Sequence, residues 1–275
     1  MIDKSKIVIT GGKGMIGKNI PYGVKLDRDE LDITMADSIR FAFDAYNPEL
    51  VIHLAAIKNK TYCETHVAEA YKINVLGTLN VAEQCRLRNI PMIFISSYYV
   101  FDGNSSTPYK EYDLTNPLNV YGKTKFIGEL IVKDFDRRNS IVRLGLVYGR
   151  GIEDSFIRFV AERILKGEPV EERDDKRFSL TNIESFIKGI SLIIEKNLSG
   201  TFHLAEKGGP SYYEVADFIR EQINPAATVT AIKNVLDHDG AVSRGGGFEV
   251  LEPSEVFSSS DWKEPLRDYL LSIKR

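Results

Sequence analysis

Short β-branched runs that alternate with longer helical stretches restrict the fold of this chain more than any other feature. "KIVIT" (Lys6–Thr10), "ELVIHLA" (Glu49–Ala55), "PMIFIS" (Pro91–Ser96) and "SIVRL" (Ser140–Leu144) read as strands buried on both faces. Between them, Met35–Tyr46, about Cys63–Arg88 and Val120–Phe135 carry apolar residues at helical spacing. That alternation predicts an α/β domain over residues 1–149, built on a doubly wound parallel sheet. Ligands of such sheets sit beyond the carboxyl ends of the strands. Thr10, Leu54–Ala56 and Ser96–Ser97 are therefore expected along one edge. After Gly149 the pattern weakens, with helices expected near Ser155–Lys166, Ile183–Glu195 and Tyr212–Gln222. Residues 150–275 read mainly as a smaller C-terminal substrate-binding lobe, some segments of which return to the first sheet. Within it "EERDDKR" (Glu171–Arg177) reads as a solvated loop. "SRGGG" (Ser243–Gly247) reads as a mobile one, whose Arg244 is a candidate contact for a ligand phosphate.

Composition excludes several classes of function. The chain has 275 residues, 43% of them hydrophobic and 27% charged, which is ordinary for a globular protein. A net charge of −3 gives no general attraction to nucleic acid or to an anionic membrane. No apolar run approaches the roughly 18 residues of a membrane span, and the first strand starts too early for a signal peptide. Two cysteines, Cys63 and Cys85, argue against a disulfide framework and for a cytoplasmic location. His53, His66, His203 and His238 show no metal-ligand spacing, so no metal is expected. The nucleophile elbow of a serine hydrolase is absent.

Immediately after the first strand comes "GGKGMIGKN", with Gly11, Gly14 and Gly17 each three residues apart. In a dinucleotide-binding loop the first glycine permits a tight turn, the second lets backbone approach a pyrophosphate and the third allows close helix packing. N–H groups at the start of the following helix would supply donors. Pro21 leaves that helix only Met15 to about Ile20, yet the dipole effect falls off within one turn. The alternative is a glycine-rich turn without ligand. Its placement after a first strand favours the dinucleotide, and with it a Rossmann-like sheet. Lys13, Gly14, Met15 and Ile16 join Gly11 and Gly17 as candidate cofactor contacts. Downstream, Asp27, Asp29, Glu30 and Asp32 compete as the carboxylate that would hold the adenosine ribose. Lys13 and Arg28 lie where a ribose 2′-phosphate would be met, which favours NADP(H) and leaves NAD(H) as the alternative. Both cations read equally well as solvent-exposed charges.

The strongest chemical signal lies in "ISSYYVFDGNSSTPYKEYDLTNPLNVYGKTKFIGE". Tyr121 and Lys125 are four residues apart at an expected helix start, so they share a face. Asn119 is placed to cap that helix. Ser97 lies at the tip of a strand that faces the cofactor edge. Reduction of a ketone by hydride needs a proton donor for the developing alkoxide. A phenol near pKa 10 is poorly tuned for this at neutral pH. A cation about 4 Å away, at an effective dielectric near 20, would lower it by about three units. Lys125 is placed to supply that charge, and Ser97 to hold the carbonyl oxygen.

Through these residues the chain resembles the extended short-chain dehydrogenase/reductases, and among them the dTDP-4-dehydrorhamnose reductases. The matching pieces are "LDRDELDIT", "NPELVIHLAA", "AYKINVLGTLNVAE", "YVFDG", "PYKEYD", "TNPLNVYGKTKFIGE", "VYG", "GTFHLA" and "DWKEPLRDYL". The resemblance implies that Ser97, Tyr121 and Lys125 are catalytic and that Asp32 and Ile33 flank the adenine. It places Leu54, Ala55 and Ala56 on the pyrophosphate side and nicotinamide ribose. Tyr99 would touch the sugar, and Asn74 would help position the lysine. It also implies a nucleotide-sugar substrate, with a homodimer as the assembly to test. Tyr98, Thr61 and Leu146 depart from the reductase pattern near the expected sugar pocket. Tyr98-Tyr99 stands where sugar-nucleotide dehydratases carry Asp-Glu, so dehydration is not expected. The expected reaction is NAD(P)H-dependent reduction of a C4 keto group on a nucleotide-linked 4-keto-6-deoxy sugar. Two alternatives stand beside it. One is another sugar-nucleotide epimerase or reductase of the superfamily. The other is a non-catalytic NADP-binding regulatory subunit.

Overall fold

The computed structural model describes residues 2–233 and 247–273. In chain order the elements begin β1 (Ile7–Thr10), β2 (Val24–Leu26), α1 (Ala36–Tyr46) and β3 (Leu50–His53). They continue with α2 (Lys60–Thr65), α3 (Val67–Tyr71), α4 (Gly77–Leu87), β4 (Met92–Ser97), α5 (Val120–Phe135) and β5 (Ser140–Leu144). Next come β6 (Leu146–Tyr148), α6 (Phe156–Leu165), β7 (Val170–Arg173), β8 (Arg177–Phe178), β9 (Leu180–Asn182) and α7 (Ile183–Lys196). The chain ends with β10 (Gly200–Leu204), α8 (Tyr212–Ile223), β11 (Val229–Ile232), β12 (Phe248–Glu249) and α9 (Lys263–Ile273).

Two compact units emerge. The first comprises Met1–Phe101, Leu114–Arg143 and Ile187–Phe202; the second comprises Asp102–Asp113, Leu144–Phe186 and His203–Arg275. A six-stranded Rossmann-like parallel sheet runs β2-β1-β3-β4-β5-β10. Strand order reverses at β1, which pairs in parallel with β2 on one side and β3 on the other. That reversal creates the switch point where such sheets bind ligands. The first unit packs Val8, Val51, Met92 and Phe94 from the strands against Ile39, Phe43, Val81 and Val132 from the helices. The second has its own core, in which Tyr148, Val160, Phe178, Val215 and Leu266 are buried. It also holds three short parallel pairs, β7–β11, β8–β12 and β6–β9.

Three local expectations are corrected. The segment after the glycine loop is a single 3₁₀ turn, Gly17–Asn19, and not a helix from Met15 to Ile20. The stretch from Cys63 to Arg88 is broken at His66 (φ −126°, ψ 54°) and passes through a π turn at Lys72–Leu76 before α4. "EERDDKR" is not a solvated loop: it holds the end of β7 and the start of β8, and Glu172, Arg173 and Lys176 are buried. Lys176 pairs with Glu249 at 3.1 Å and Arg173 with Asp175 at 2.9 Å. The decisive partner, Glu249, lies far along the chain, where a reading of local charge does not reach.

Helix α5 is set against the end of β4 through its glycines. A Cβ at Gly122 would overlap the Tyr99 carbonyl oxygen, and one at Gly128 would lie 2.6 Å from Cζ of Phe94. Gly122→Ala is therefore expected to destabilise the protein by about 3 kcal/mol. Thermal denaturation should show a fall of roughly 6–12 °C; an unchanged midpoint would mean that α5 does not depend on this approach.

Candidate active site

The glycine loop is shaped by contacts that leave no room for side chains. Gly11 has φ +63°, and a Cβ there would sit 2.9 Å from the Cα of Ala55. A Cβ at Gly17 would meet Gly12 at 2.7 Å. Gly12 N–H donates to Leu26 (3.0 Å) and Gly14 N–H to Gly11 (3.0 Å), tying the loop to the end of β2. Among the described residues, the N–H groups of Lys13, Met15, Ile16 and Gly17 have no backbone acceptor. These donors, beside a surface that any Cβ would fill, fit the pyrophosphate of a dinucleotide. The three-residue turn Gly17–Asn19 is too short to carry a macrodipole, so individual N–H groups would do this work.

A buried polar chain joins this loop to α5. Thr78 Oγ1 donates to the Asn74 carbonyl (2.7 Å), so it accepts from His53 Nε2–H (3.0 Å). The other ring nitrogen, Nδ1, then accepts from the Thr10 hydroxyl (2.6 Å), which itself accepts from Ala55 N–H (3.3 Å). His53 stays neutral, its pKa lowered to about 3 by burial and by the charge of Lys125. Asn74 sits in the π turn and clamps Ile57 from both sides: Oδ1 accepts Ile57 N–H (2.7 Å) and Nδ2 donates to Ile57 C=O (3.0 Å). Its second amide hydrogen reaches Thr124 Oγ1 (3.0 Å), which donates to the Tyr121 carbonyl (2.7 Å). Asn74 thus grips the helix through Thr124.

Ser97 and Tyr121 come together at the end of β4. The Ser97 hydroxyl accepts Tyr99 N–H (3.3 Å) and hydrogen-bonds the Tyr121 phenol. Asn119 caps α5 by accepting Gly122 N–H (2.7 Å), and Glu64 accepts Val120 N–H (2.7 Å). Lys125 lies one turn on, buried, with its Nζ over the Phe94 ring at 4.1 Å from the centroid. Burial pulls its pKa down to about 7, against an opposing pull from Glu129. Glu129 is itself buried and accepts from Ser96 Oγ (2.5 Å) and from Arg143 Nη2 (2.7 Å). The expected lowering of the phenol by Lys125 is absent. Burial pushes Tyr121 up to about 12, with Ser97 opposing. The reason is physical: the cost of desolvating a buried phenolate outweighs the help from Ser97.

The remaining candidates fall at the adenosine end or beside Tyr121. Lys13 Nζ pairs with Glu30 Oε1 at 2.5 Å. Arg28 is exposed, with Nε 3.9 Å from Asp32. Asp32 accepts from both the N–H and the hydroxyl of Thr34. The side chain of Ile33 is buried in the core, so only its backbone is left to meet an adenine. Leu54 N–H donates to Thr10 (3.2 Å), holding Leu54–Ala56 on the edge beyond β3. The Tyr99 ring meets Tyr121 edge-on, and its hydroxyl accepts from Lys60 Nζ (2.8 Å). Arg244 lies outside the described residues. Lys60, Glu64, Thr124 and Glu129 were not among the candidates. Of these only Glu129, one turn beyond Lys125, carries a local signal.

The RmlD substrate binding domain family matches residues 5–241. The chain belongs to that family. Its members are NAD(P)-dependent sugar-nucleotide reductases and their relatives. A dTDP-4-keto-6-deoxy-D-glucose reductase of Streptomyces niveus is 32% identical over 76% of this chain and 75% of its own. The spore coat polysaccharide biosynthesis protein SpsK of Bacillus subtilis is 28% identical over 97% of each chain. Methionine adenosyltransferase 2 subunit beta of Bos taurus is 26% identical over 81% of this chain and 73% of its own. Among solved structures, a dTDP-4-dehydrorhamnose reductase from Bacillus anthracis in complex with NADP superposes with a TM-score of 0.90. The two share 26% identity over 98% of this chain and 100% of that one.

In this RmlD-family chain Lys125 is a destabilising residue. Its folded pKa of about 7 lies below the 10.5 of a free lysine, so the unfolded chain binds the proton more tightly. The amine therefore weakens the fold progressively as pH falls from 10.5 towards 7. Lys125→Met is expected to be more stable than the parent at pH 6.5 by roughly 2–4 kcal/mol. The gap should close as pH rises towards 10. Denaturation curves at both pH values check this, and a parent chain at least as stable as the variant at pH 6.5 would contradict it.

Proposed function

We propose that this protein reduces the C4 keto group of a nucleotide-linked 4-keto-6-deoxy sugar, with NADPH as the preferred coenzyme and NADH as the alternative. The observation that carries this reading is the Ser97–Tyr121 hydroxyl pair at the tip of β4, one turn from a buried Lys125. The family and its reductase members supply the substrate class. The free N–H groups of the glycine loop support the dinucleotide.

When bound, a reduced nicotinamide supplies the hydride. The protein supplies the rest. Ser97 Oγ hydrogen-bonds the ketone oxygen and stabilises the charge that gathers on it. Tyr121 donates the proton. A phenol at about 12 still does so downhill, because an alkoxide resembles deprotonated water, whose pKa is about 15.7. Protonated Lys125 would stabilise the phenolate left once Tyr121 has given its proton to the alkoxide, and would hold a ribose hydroxyl. Tyr99, edge-on to Tyr121, contacts the sugar.

One alternative has specific support. Methionine adenosyltransferase 2 subunit beta is a relative, and a phenol raised by burial suits a chain that binds NADP without turnover. A spectrophotometric screen of NADPH oxidation against several nucleotide-linked 4-keto-6-deoxy sugars separates the two. Turnover is expected with at least one sugar, falling about 10²–10⁴-fold in Tyr121→Phe. No turnover with any sugar, or full activity in Tyr121→Phe, would sink the catalytic reading.

A further inference from the structure

Lys60 is fixed against the hydroxyl of Tyr99 from both sides. Asn59 caps α2 by accepting Tyr62 N–H (2.8 Å), and Asn74 clamps Ile57, so the chain that carries Lys60 has a set course. On the facing side, Tyr99 N–H donates to Ser97 Oγ (3.3 Å), and the Tyr99 carbonyl fills the place of a Cβ at Gly122. Lys60 Nζ donates to Tyr99 Oη at 2.8 Å and lies 4.6 Å from the centre of the ring. Together these distances put the ammonium to one side of the C–O axis, along an oxygen lone pair. The phenolic hydrogen then points to the other side. Because the Tyr99 ring meets Tyr121 edge-on, that hydrogen belongs to the same site as the Ser97–Tyr121 pair.

We infer that Lys60 sets the sugar specificity of this site through Tyr99: it turns the phenol into a donor, so the sugar must present an oxygen acceptor there. A sugar hydroxyl has lone pairs and meets that demand. A deoxygenated carbon offers no acceptor. A protonated amine has no lone pair, and it would face the Lys60 charge as well. Donation by an ammonium also polarises the phenol and strengthens its own O–H bond to the sugar. Lys60 is thus a positioning residue, acting on the substrate through Tyr99. The inference rests on reading Tyr99 as the sugar contact of a ketoreductase.

Steady-state kinetics of the full chain with NADPH test it, on nucleotide-linked 4-keto-6-deoxy sugars that carry a hydroxyl, a hydrogen or a protonated amine at C2 or at C3. At one of these positions kcat/KM of the parent should fall in that order, with the hydroxyl ahead of the amine by at least about tenfold. Lys60→Met should raise KM for the hydroxyl sugar roughly three- to tenfold, change kcat less than about threefold, and narrow the gap to the amine. Lys60→Arg, which keeps a cationic donor, should restore most of the parent KM. In Tyr99→Phe the order should collapse, and adding Lys60→Met should move KM by less than about twofold. A parent that does not discriminate, an order that survives in Lys60→Met, a loss confined to kcat, or additive effects in the double variant would overturn the inference alone. A parent that turns over none of the sugars would overturn the ketoreductase reading, and this inference with it.

Discussion

The amide of Asn74 is the interaction on which the rest of the site depends. It is buried, and three hydrogen bonds of its side chain hold the loop beyond β3 to α5. The π turn aims that side chain: one extra residue in the helical register swings it away from the α-helical face and towards Ile57 and Thr124. The freed backbone is used as well, since the Asn74 carbonyl accepts from Thr78 and so fixes the tautomer of His53. Loss of the amide would strand buried donors and acceptors at about 1–3 kcal/mol each. From Ala55 to Tyr121 the polar groups form one satisfied chain, which gives the glycine-loop edge and the Tyr121 helix a common frame.

That frame holds charges in states they would not adopt in water. Lys125 titrates near 7 and Tyr121 near 12 because both are desolvated. Beneath them Glu129 and Arg143 form a buried pair, with Ser96 completing the carboxylate's contacts. Perturbed groups clustered at a strand tip are characteristic of sites tuned for proton transfer. A ligand that placed hydroxyl groups near Lys125 would offer the ammonium polar partners in place of the Phe94 ring. The protonated form would gain from that exchange.

Much of the framework is legible in the sequence because its signals are local. Four strands announce themselves by continuous apolar runs, and α5 by its 3.6-residue period together with the Asn119 cap. Ser97 and Tyr121 follow from strand tip and helix start. Other features depend on partners remote in the chain. β2 is a three-residue strand that exists because it pairs with β1, and "VKL" alone has no periodicity to read. The buried charges of "EERDDKR" make sense only with Glu249 in place. His53, read among histidines without metal spacing, proves to be a neutral link whose partners are hydroxyls on β1 and α4. Glu64, the second cap of α5, lies 56 residues from Val120. The phenol's pKa was misjudged for the same reason: spacing gives the lysine a face but not the burial of the phenol.

The most direct test of the account follows an isotope. Coenzyme carrying deuterium at the nicotinamide C4 position, incubated with the protein and a nucleotide-linked 4-keto-6-deoxy sugar, should yield a product sugar heavier by one mass unit. Fragmentation should place the label on C4, with a new hydroxyl there. A product that retains the keto group, carries the label elsewhere, or takes its C4 hydrogen unlabelled from solvent when both C4 hydrogens of the coenzyme are deuterium would contradict a hydride reduction.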